Sequence, residues 1–177
     1  GDRWDGPGPE NFSPETFRLV AETVRRLLDT VQPQHTTFSL EPMPWMIPDS
    51  ADSYAELLEA VDRPAFAVHY DPVNLVVSHR DYAQNGQRMR EFAARFGPLI
   101  RVVHMKDVHM EERYNTVLLE VQPGQGELDY PALLTALDAL DPDLPVMTEH
   151  MTNEADSLRV IREVLSTPET YALVLRD

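Results

Sequence analysis

The sequence contains no cysteine, which excludes a disulfide scaffold, a thiolate nucleophile and a zinc site built on sulfur. Basic residues are also few, since 15 Lys and Arg stand against 30 Asp and Glu and give a net charge of -15. Such a charge repels the phosphate backbone of nucleic acids, so we do not expect a nucleic-acid partner. Any metal in this protein must be held by oxygen and imidazole ligands.

A long hydrophobic run is missing as well. No segment approaches the ~18 consecutive apolar residues that a membrane-spanning helix requires. Residues 1–10 have no apolar stretch that would serve as a secretory signal, and they look like a cut or processed end. We therefore expect a soluble, cytoplasmic protein with no membrane partner. At 177 residues, the chain is expected to form a single domain over residues 1–177.

The hydrophobic pattern alternates between short apolar runs and longer stretches with helical spacing. Ser13 and Pro14 are typical of a helix start, and the first helix is predicted to run to about Val31. Strands are then predicted at residues 36–40, 66–70, 100–104 and 144–148, and further helices near residues 50–61, 82–96, 129–140 and 153–165. The connection over residues 108–126 is predicted to be a loop with one extra strand.

Strands that alternate with helices in this way indicate βα units and a parallel sheet. In such folds the functional residues lie at the carboxyl ends of the strands. A closed (β/α)8 barrel typically takes ~250 residues, and only four units are visible here. The predicted fold is therefore α/β, made of parallel (β/α) units of a TIM barrel, with about half a barrel and four strands in this chain.

Each predicted strand finishes on a residue that can bind a metal, namely Glu41, Asp71, His104 and Glu149. In a parallel sheet curled into a barrel, these ends converge on one mouth. Three carboxylates and one imidazole suit Mn²⁺ first, then Mg²⁺ or Co²⁺, with Zn²⁺ less favoured. Acidic residues also follow strands as caps of the next helix. Because four such residues occur in register, we favour a divalent-metal site.

Five segments form recognisable motifs: SLEPMPW at 39–45, HYDPVN at 69–74, HMKD at 104–107, GQGELDY at 124–130 and TEH at 148–150. They resemble motifs of the xylose-isomerase-like TIM barrels, a family that includes sugar epimerases, hydroxypyruvate isomerase, inosose dehydratase and metal-dependent apurinic endonucleases. The resemblance covers nearly the whole chain but only the C-terminal half of the family's fold. It implies that Glu41, Asp71, His104 and Glu149 bind the metal, and that Glu41 and Glu149 exchange proton donor and acceptor roles.

Several residues near these ligands are candidates for substrate contacts: Trp45, His69, Asn74, Lys106 and His109. Each of them, like Asp107 and Met43, is open to the alternative of strand packing, core packing or surface solvation. Asn74 stands where many family members have a His, and Met110 stands where sugar epimerases often carry an Arg. We therefore expect substrate contacts that differ from those of typical members.

The resulting functional hypothesis is a divalent-metal-dependent sugar isomerase or epimerase that acts on a ketose or related polyol-ketone by enediolate proton transfer. An inosose-type dehydratase is an alternative within the same chemistry. The alternative from another class is a non-catalytic half-barrel fragment, or a scaffold that pairs with another copy. A half barrel leaves two sheet edges unpaired, so we expect either a homo-oligomer or a missing N-terminal half. Because the net charge is negative, an endonuclease activity is the least favoured of these hypotheses.

Overall fold

The computed structural model describes residue 6, residues 8–151, and residues 159, 162 and 163. Its helices are α1 (Pro14–Val31), α2 (Ala51–Val61), α3 (His79–Ala83), α4 (Asn85–Phe96) and α5 (Tyr130–Leu140). Its strands are β1 (Phe38–Leu40), β2 (Phe66–Tyr70), β3 (Ile100–Met105), β4 (Asp107–Met110), β5 (Leu118–Val121) and β6 (Val146–Thr148). Short 3-10 turns cover Pro9–Phe12, Val73–Leu75 and Gly97–Leu99. No helix within the described residues is long and apolar enough to cross a lipid bilayer.

Four strands form one sheet in the order β1-β2-β3-β6, and every neighbouring pair is parallel. The carboxyl ends of all four strands therefore lie along one edge of the sheet. A register shift between Val68 and His69 interrupts the pairing of β2 with β3. The mixed α/β architecture with four parallel strands confirms the predicted partial TIM barrel.

The helix starts follow from capping side chains that the sequence displays. The Ser13 side chain accepts a hydrogen bond from the backbone of Thr16, directly before a proline at the first helical position. Ser50 and Ser53 cap each other reciprocally at the start of α2. Asp129 caps α5 in the same way as Ser13 caps α1. These contacts satisfy backbone N–H groups that would otherwise have no partner.

The core lies between the sheet and the helices that cover its outer face. Strand β2 is buried along most of its length, since helices and neighbouring strands enclose it. The ring of Tyr70 stacks on that of Phe92 in α4, with 4.1 Å between centroids. Tyr54 and Leu57 of α2 are fully buried against the strands. Burial of each such side chain stabilises the fold by roughly 1.5–3 kcal/mol, before the entropy cost of folding is counted.

Two details differ from the prediction. The helix expected over residues 82–96 is divided into α3 and α4, because Gln84 leaves the helical conformation and its N–H donates to the carbonyls of Arg80 and Tyr82. The connection after β3 contains two strands rather than one, β4 and β5, which form an antiparallel hairpin. The helix predicted near residues 153–165 lies almost entirely outside the described residues.

Candidate metal centre

The four predicted ligands lie at the carboxyl edge of the parallel sheet. Glu41, Asp71 and Glu149 directly follow β1, β2 and β6, and His104 is the penultimate residue of β3. The structure thus brings together residues from four βα units. One ligand-capable atom of each lies within 4.8 Å of the corresponding atoms of the other three.

His104 lies at the centre of this cluster. Its Nδ1 is 3.0 Å from Glu149 Oε2, 3.3 Å from Glu41 Oε1 and 3.9 Å from Asp71 Oδ2. The Asp71 side chain is fully buried, and the other three are largely buried. The cluster is therefore largely shielded from solvent.

The donor atoms of the cluster fit a divalent cation. Three of them, Asp71 Oδ2, His104 Nδ1 and Glu149 Oε2, are buried and have no hydrogen-bond partner among the described residues. Leaving a buried polar atom without a partner costs about 1–3 kcal/mol, and a cation at this position would remove that cost. Three carboxylates and an imidazole form a mainly oxygen donor set, which suits Mg²⁺ and Mn²⁺ and also accommodates Zn²⁺.

The environment shifts the pKa values of the two glutamates of the cluster in opposite directions. Burial, which contributes most, together with the neighbouring carboxyl groups of Asp71 and Glu149, raises the pKa of Glu41 to about 7. Partial burial also acts to raise the pKa of Glu149, but the ammonium of Lys106 and the charge of His104 outweigh it, so that this pKa is lowered. The two carboxyl groups therefore differ in proton affinity although both belong to the same cluster.

Lys106 is the cation of this site. It follows β3, and its Nζ lies 2.8 Å from Glu149 Oε2 and 3.0 Å from Asp71 Oδ2. These are ion-pair distances, although the two oxygens are not in hydrogen-bonding geometry with the amine. Burial acts to lower the pKa of Lys106, but the surrounding carboxylates outweigh it and hold this pKa above its usual range. The ammonium thus offsets part of the negative charge that the clustered carboxylates concentrate.

The other candidates for substrate contacts differ in how closely they approach the cluster. Asn74 lies at the cluster, where its amide donates to Glu41 Oε1 at 3.0 Å. The His69 ring contacts that of His104, and burial together with the neighbouring His104 lowers the pKa of His69 to about 4. Trp45 follows β1 on a loop, and its indole N–H is buried without a partner among the described residues. His109 lies on β4, and no ion pair or ligand group among the described residues includes it.

The sequence did not indicate two residues of this site, Glu120 and Tyr54. Glu120 of β5 lies 3.2 Å from the Lys106 ammonium, and its other oxygen contacts the ring of His150. A charged residue on a short strand carries no sequence signal for such a role, because the hairpin that folds Glu120 over the sheet was not predicted. Tyr54 lies on α2, where the sequence predicts only a helix. Its hydroxyl donates to the carbonyl of Leu40 at 2.5 Å and accepts from the N–H of His69 at 3.0 Å, which links β1 to β2 beside Glu41.

Asp107 does not point at the cluster but anchors the loop that follows the hairpin. One carboxylate oxygen accepts the N–H groups of Val108 and Leu128, and the other accepts those of Gly124 and Gly126. A Cβ at Gly126 would lie 2.5 Å from Asp107 Oδ1, so the loop requires glycine there for a close approach. Asp107 therefore fixes the base of the hairpin that carries Glu120.

We expect Asp107→Asn to destabilise the fold by about 2–4 kcal/mol, because the amide offers one acceptor oxygen and leaves two of these four N–H groups without their acceptor. Chemical denaturation followed by circular dichroism measures this change. Asp62→Asn is the matched control, since Asp62 is exposed and has a positive φ that asparagine tolerates. Equal stability of Asp107→Asn and the control would contradict the anchoring role.

Comparison with known proteins identifies the family to which this fold belongs. The family model described as "Xylose isomerase-like TIM barrel" matches residues 1–166. This chain belongs to that family. No curated protein sequence matches this member of the xylose isomerase-like barrels.

Solved structures share the fold of this family member. A xylose isomerase domain protein from Planctomyces limnophilus is 25% identical, with a TM-score of 0.66, over 89% of this chain and 54% of that one. A xylose isomerase-like TIM barrel protein from Mycobacterium smegmatis in complex with magnesium is 22% identical, with a TM-score of 0.66, over 92% and 53%. A D-allulose 3-epimerase from Methylomonas sp. is 19% identical, with a TM-score of 0.63, over 88% and 51%. The chain spans about half the length of these proteins.

Proposed function

We propose that this chain supplies the metal-binding half of a divalent-metal-dependent sugar isomerase or epimerase of the cytoplasm. The observation that carries the proposal is the convergence of Glu41, Asp71, His104 and Glu149 at one edge of a parallel sheet, with three buried donor atoms that lack a hydrogen-bond partner among the described residues. Mn²⁺ is the ion we expect first, and Mg²⁺, Co²⁺ and Zn²⁺ are accepted by the same donor types. The substrate is a ketose or a related polyol-ketone.

The reaction follows from the two glutamates. A bound divalent ion would polarise the substrate carbonyl and offset the negative charge that develops when the adjacent carbon loses its proton. Glu41 and Glu149 follow β1 and β6, the two outer strands of the sheet. The family resemblance implies that these two carboxylates face each other across the substrate. One carboxylate removes the carbon-bound proton, and the other returns a proton to the resulting enediolate.

The carbon that receives the proton decides the product. Return to the neighbouring carbon is an isomerisation, and return to the opposite face of the same carbon is an epimerisation. Elimination of water from the same enediolate, in which a carboxylic acid protonates the leaving hydroxyl group, would make the protein an inosose-type dehydratase, the alternative within this chemistry. Proton removal by a carboxylate beside a carbonyl is common to all three outcomes.

The substrate contacts belong to the same proposal. Asn74 and Lys106 already face the cluster and would donate hydrogen bonds to sugar oxygens. The Trp45 indole offers a buried N–H donor together with an apolar face. His69 borders the cluster beside His104, and His109 of β4 would contribute only at the rim of the mouth.

The sheet of this chain needs a partner. Strands β1 and β6 are the outer strands of the four-stranded sheet, and each pairs with only one neighbour within it. Val146 and Met147 of β6 are 37% and 51% exposed, which leaves apolar side chains at one of these edges. An N-terminal half of the barrel or a second copy of this chain would pair with both edges. A non-catalytic half barrel that serves as a scaffold is the competing reading, since it needs the same partner but no substrate.

Solvent deuterium uptake tests the proposed reaction. A complete, metal-loaded barrel is incubated with a panel of small ketoses in deuterated water, and nuclear magnetic resonance follows the carbon next to the carbonyl. Deuterium should appear there because the enediolate exchanges its proton through a carboxylic acid. No exchange with any ketose would favour the scaffold reading over the enzyme.

We expect that the chain alone is not a stable monomer in solution, because unpaired strands with exposed apolar residues associate. Light scattering coupled to size exclusion measures the mass. A dimer, or a 1:1 complex with a separately supplied N-terminal half, is the expected species. A well-folded monomer of 20.2 kDa would contradict the need for a partner.

A further inference from the structure

His69 offers an imidazole nitrogen beside the candidate metal centre, and it is not one of the four predicted ligands. It lies on β2 two residues before Asp71, so both side chains lie on the same face of the strand. Its Nε2 is buried and has no hydrogen-bond partner among the described residues. Its ring meets that of His104 edge-on, with 4.1 Å between centroids and 83° between planes. A buried imidazole nitrogen without a hydrogen-bond partner can bind a metal ion.

The geometry contains a second group of ligand atoms. Glu41, His69 and His104 each offer an atom within 4.8 Å of the other two. We name this the nitrogen-rich group, and we name the set of Glu41, Asp71, His104 and Glu149 the oxygen-rich group. The two groups share Glu41 and His104. One ion therefore has two overlapping positions, which differ in whether His69 or the pair Asp71 and Glu149 completes the coordination.

The two ion positions differ in the charges that surround them. The Lys106 ammonium lies 3.0 Å from Asp71 and 2.8 Å from Glu149, the two carboxylates that belong only to the oxygen-rich group. A cation in that group is repelled by Lys106 but gains two further carboxylates. In the nitrogen-rich group, the ion gains a second imidazole instead. Hard ions prefer oxygen ligands, whereas Zn²⁺, Co²⁺ and Cu²⁺ bind imidazole well.

We propose that His69 is a metal ligand that sets ion selectivity, so that Zn²⁺, Co²⁺ and Cu²⁺ bind through Glu41, His69 and His104 while Mg²⁺ and Mn²⁺ bind through the oxygen-rich group. This inference rests on the proposed metal centre and extends it. It assigns His69 to the ion rather than to the sugar.

The test is metal titration of the purified chain and of two variants, His69→Leu and the control His35→Leu, which removes an exposed histidine outside both groups. In His69→Leu the affinities for Zn²⁺ and Co²⁺ should fall about 10–100-fold or more, while those for Mg²⁺ and Mn²⁺ stay within about threefold. The control should match the parent for all four ions. Retained Mg²⁺ binding also shows that His69→Leu is folded, and His69→Gln provides a second variant that keeps a polar side chain.

Electron paramagnetic resonance of bound Cu²⁺ provides a readout independent of affinity. Nitrogen couplings should indicate two imidazoles in the parent and in His35→Leu, and one in either His69 variant. An unchanged nitrogen count together with an unchanged ratio of Zn²⁺ to Mg²⁺ affinity would overturn the role of His69 and leave the metal centre intact. Equal loss of all four ions in both His69 variants would overturn it as well, since that is the result of a structural role. A parent that binds no ion would overturn the metal centre itself.

Discussion

Replacing Asp71 and Glu149 with alanine in one variant should abolish divalent-metal binding by this chain. The change removes two of the three carboxylates whose oxygens converge within 4.8 Å of His104. Loss of partners that only support metal ligands already costs about 10–100-fold in affinity, so loss of two direct ligands should exceed that range. Titration calorimetry with Mn²⁺ and elemental analysis of the purified protein measure the effect.

Two further variants separate ligand loss from misfolding. Asp71 also accepts hydrogen bonds from the backbone of Val73 and Asn74, which alanine cannot do. Asp71→Asn combined with Glu149→Ala retains an acceptor oxygen there and should still lose the metal. Glu22→Ala with Glu59→Ala removes the same charge from exposed helix positions and should bind Mn²⁺ like the parent. Unchanged metal stoichiometry in the Asp71 and Glu149 variants would refute the assignment.

The second large effect concerns catalysis in a complete, metal-loaded barrel. Glu41→Gln and Glu149→Gln should each lower the rate of deuterium exchange at the carbon next to the ketose carbonyl by ~10²-fold or more. Glutamine keeps the shape and an oxygen donor of the side chain but can neither accept nor return the proton. Exchange rates measured by nuclear magnetic resonance, at saturating metal, test this expectation.

The controls address the proposed double use of these glutamates as metal ligands and as acid or base. Metal content must be measured in each variant, because a loss of metal would slow exchange by a different route. Glu59→Gln, at an exposed position of α2, should exchange at the parent rate. If both active-site variants retain metal and also exchange at the parent rate, Glu41 and Glu149 do not move the proton.

The positions of Glu41, Asp71, His104 and Glu149 were predictable because they depend on local signals. Apolar β-branched runs mark the strands, and caps such as Ser13 and Asp129 mark the helix starts. Once the strands are parallel, their carboxyl ends must share an edge, so residues far apart in sequence come together without any knowledge of side-chain contacts. The same reasoning yielded the half barrel, because the number of βα units is read directly from the chain.

Other features depend on how segments pack after the sheet has formed. The break at Gln84 is too short to disturb a helical pattern, and a hairpin inside a polar connection resembles a loop with one strand. Lys106 and Asp107 are adjacent, yet one reaches the ligand cluster and the other anchors a loop. Sequence alone could not distinguish them, since either residue type is consistent with either role.

The sequence by itself determined the fold class, the order of the βα units and the four residues at the strand ends, because periodicity and capping act over a few neighbouring residues. Only the tertiary structure decided the contacts around the four strand-end residues: Glu120 against Lys106, the linking hydroxyl of Tyr54, and a His69 nitrogen that has no hydrogen-bond partner within the described part of the chain. These contacts join segments that no local pattern relates. They arise from side-chain direction and close packing, which are set only when the whole sheet and its hairpin are in place.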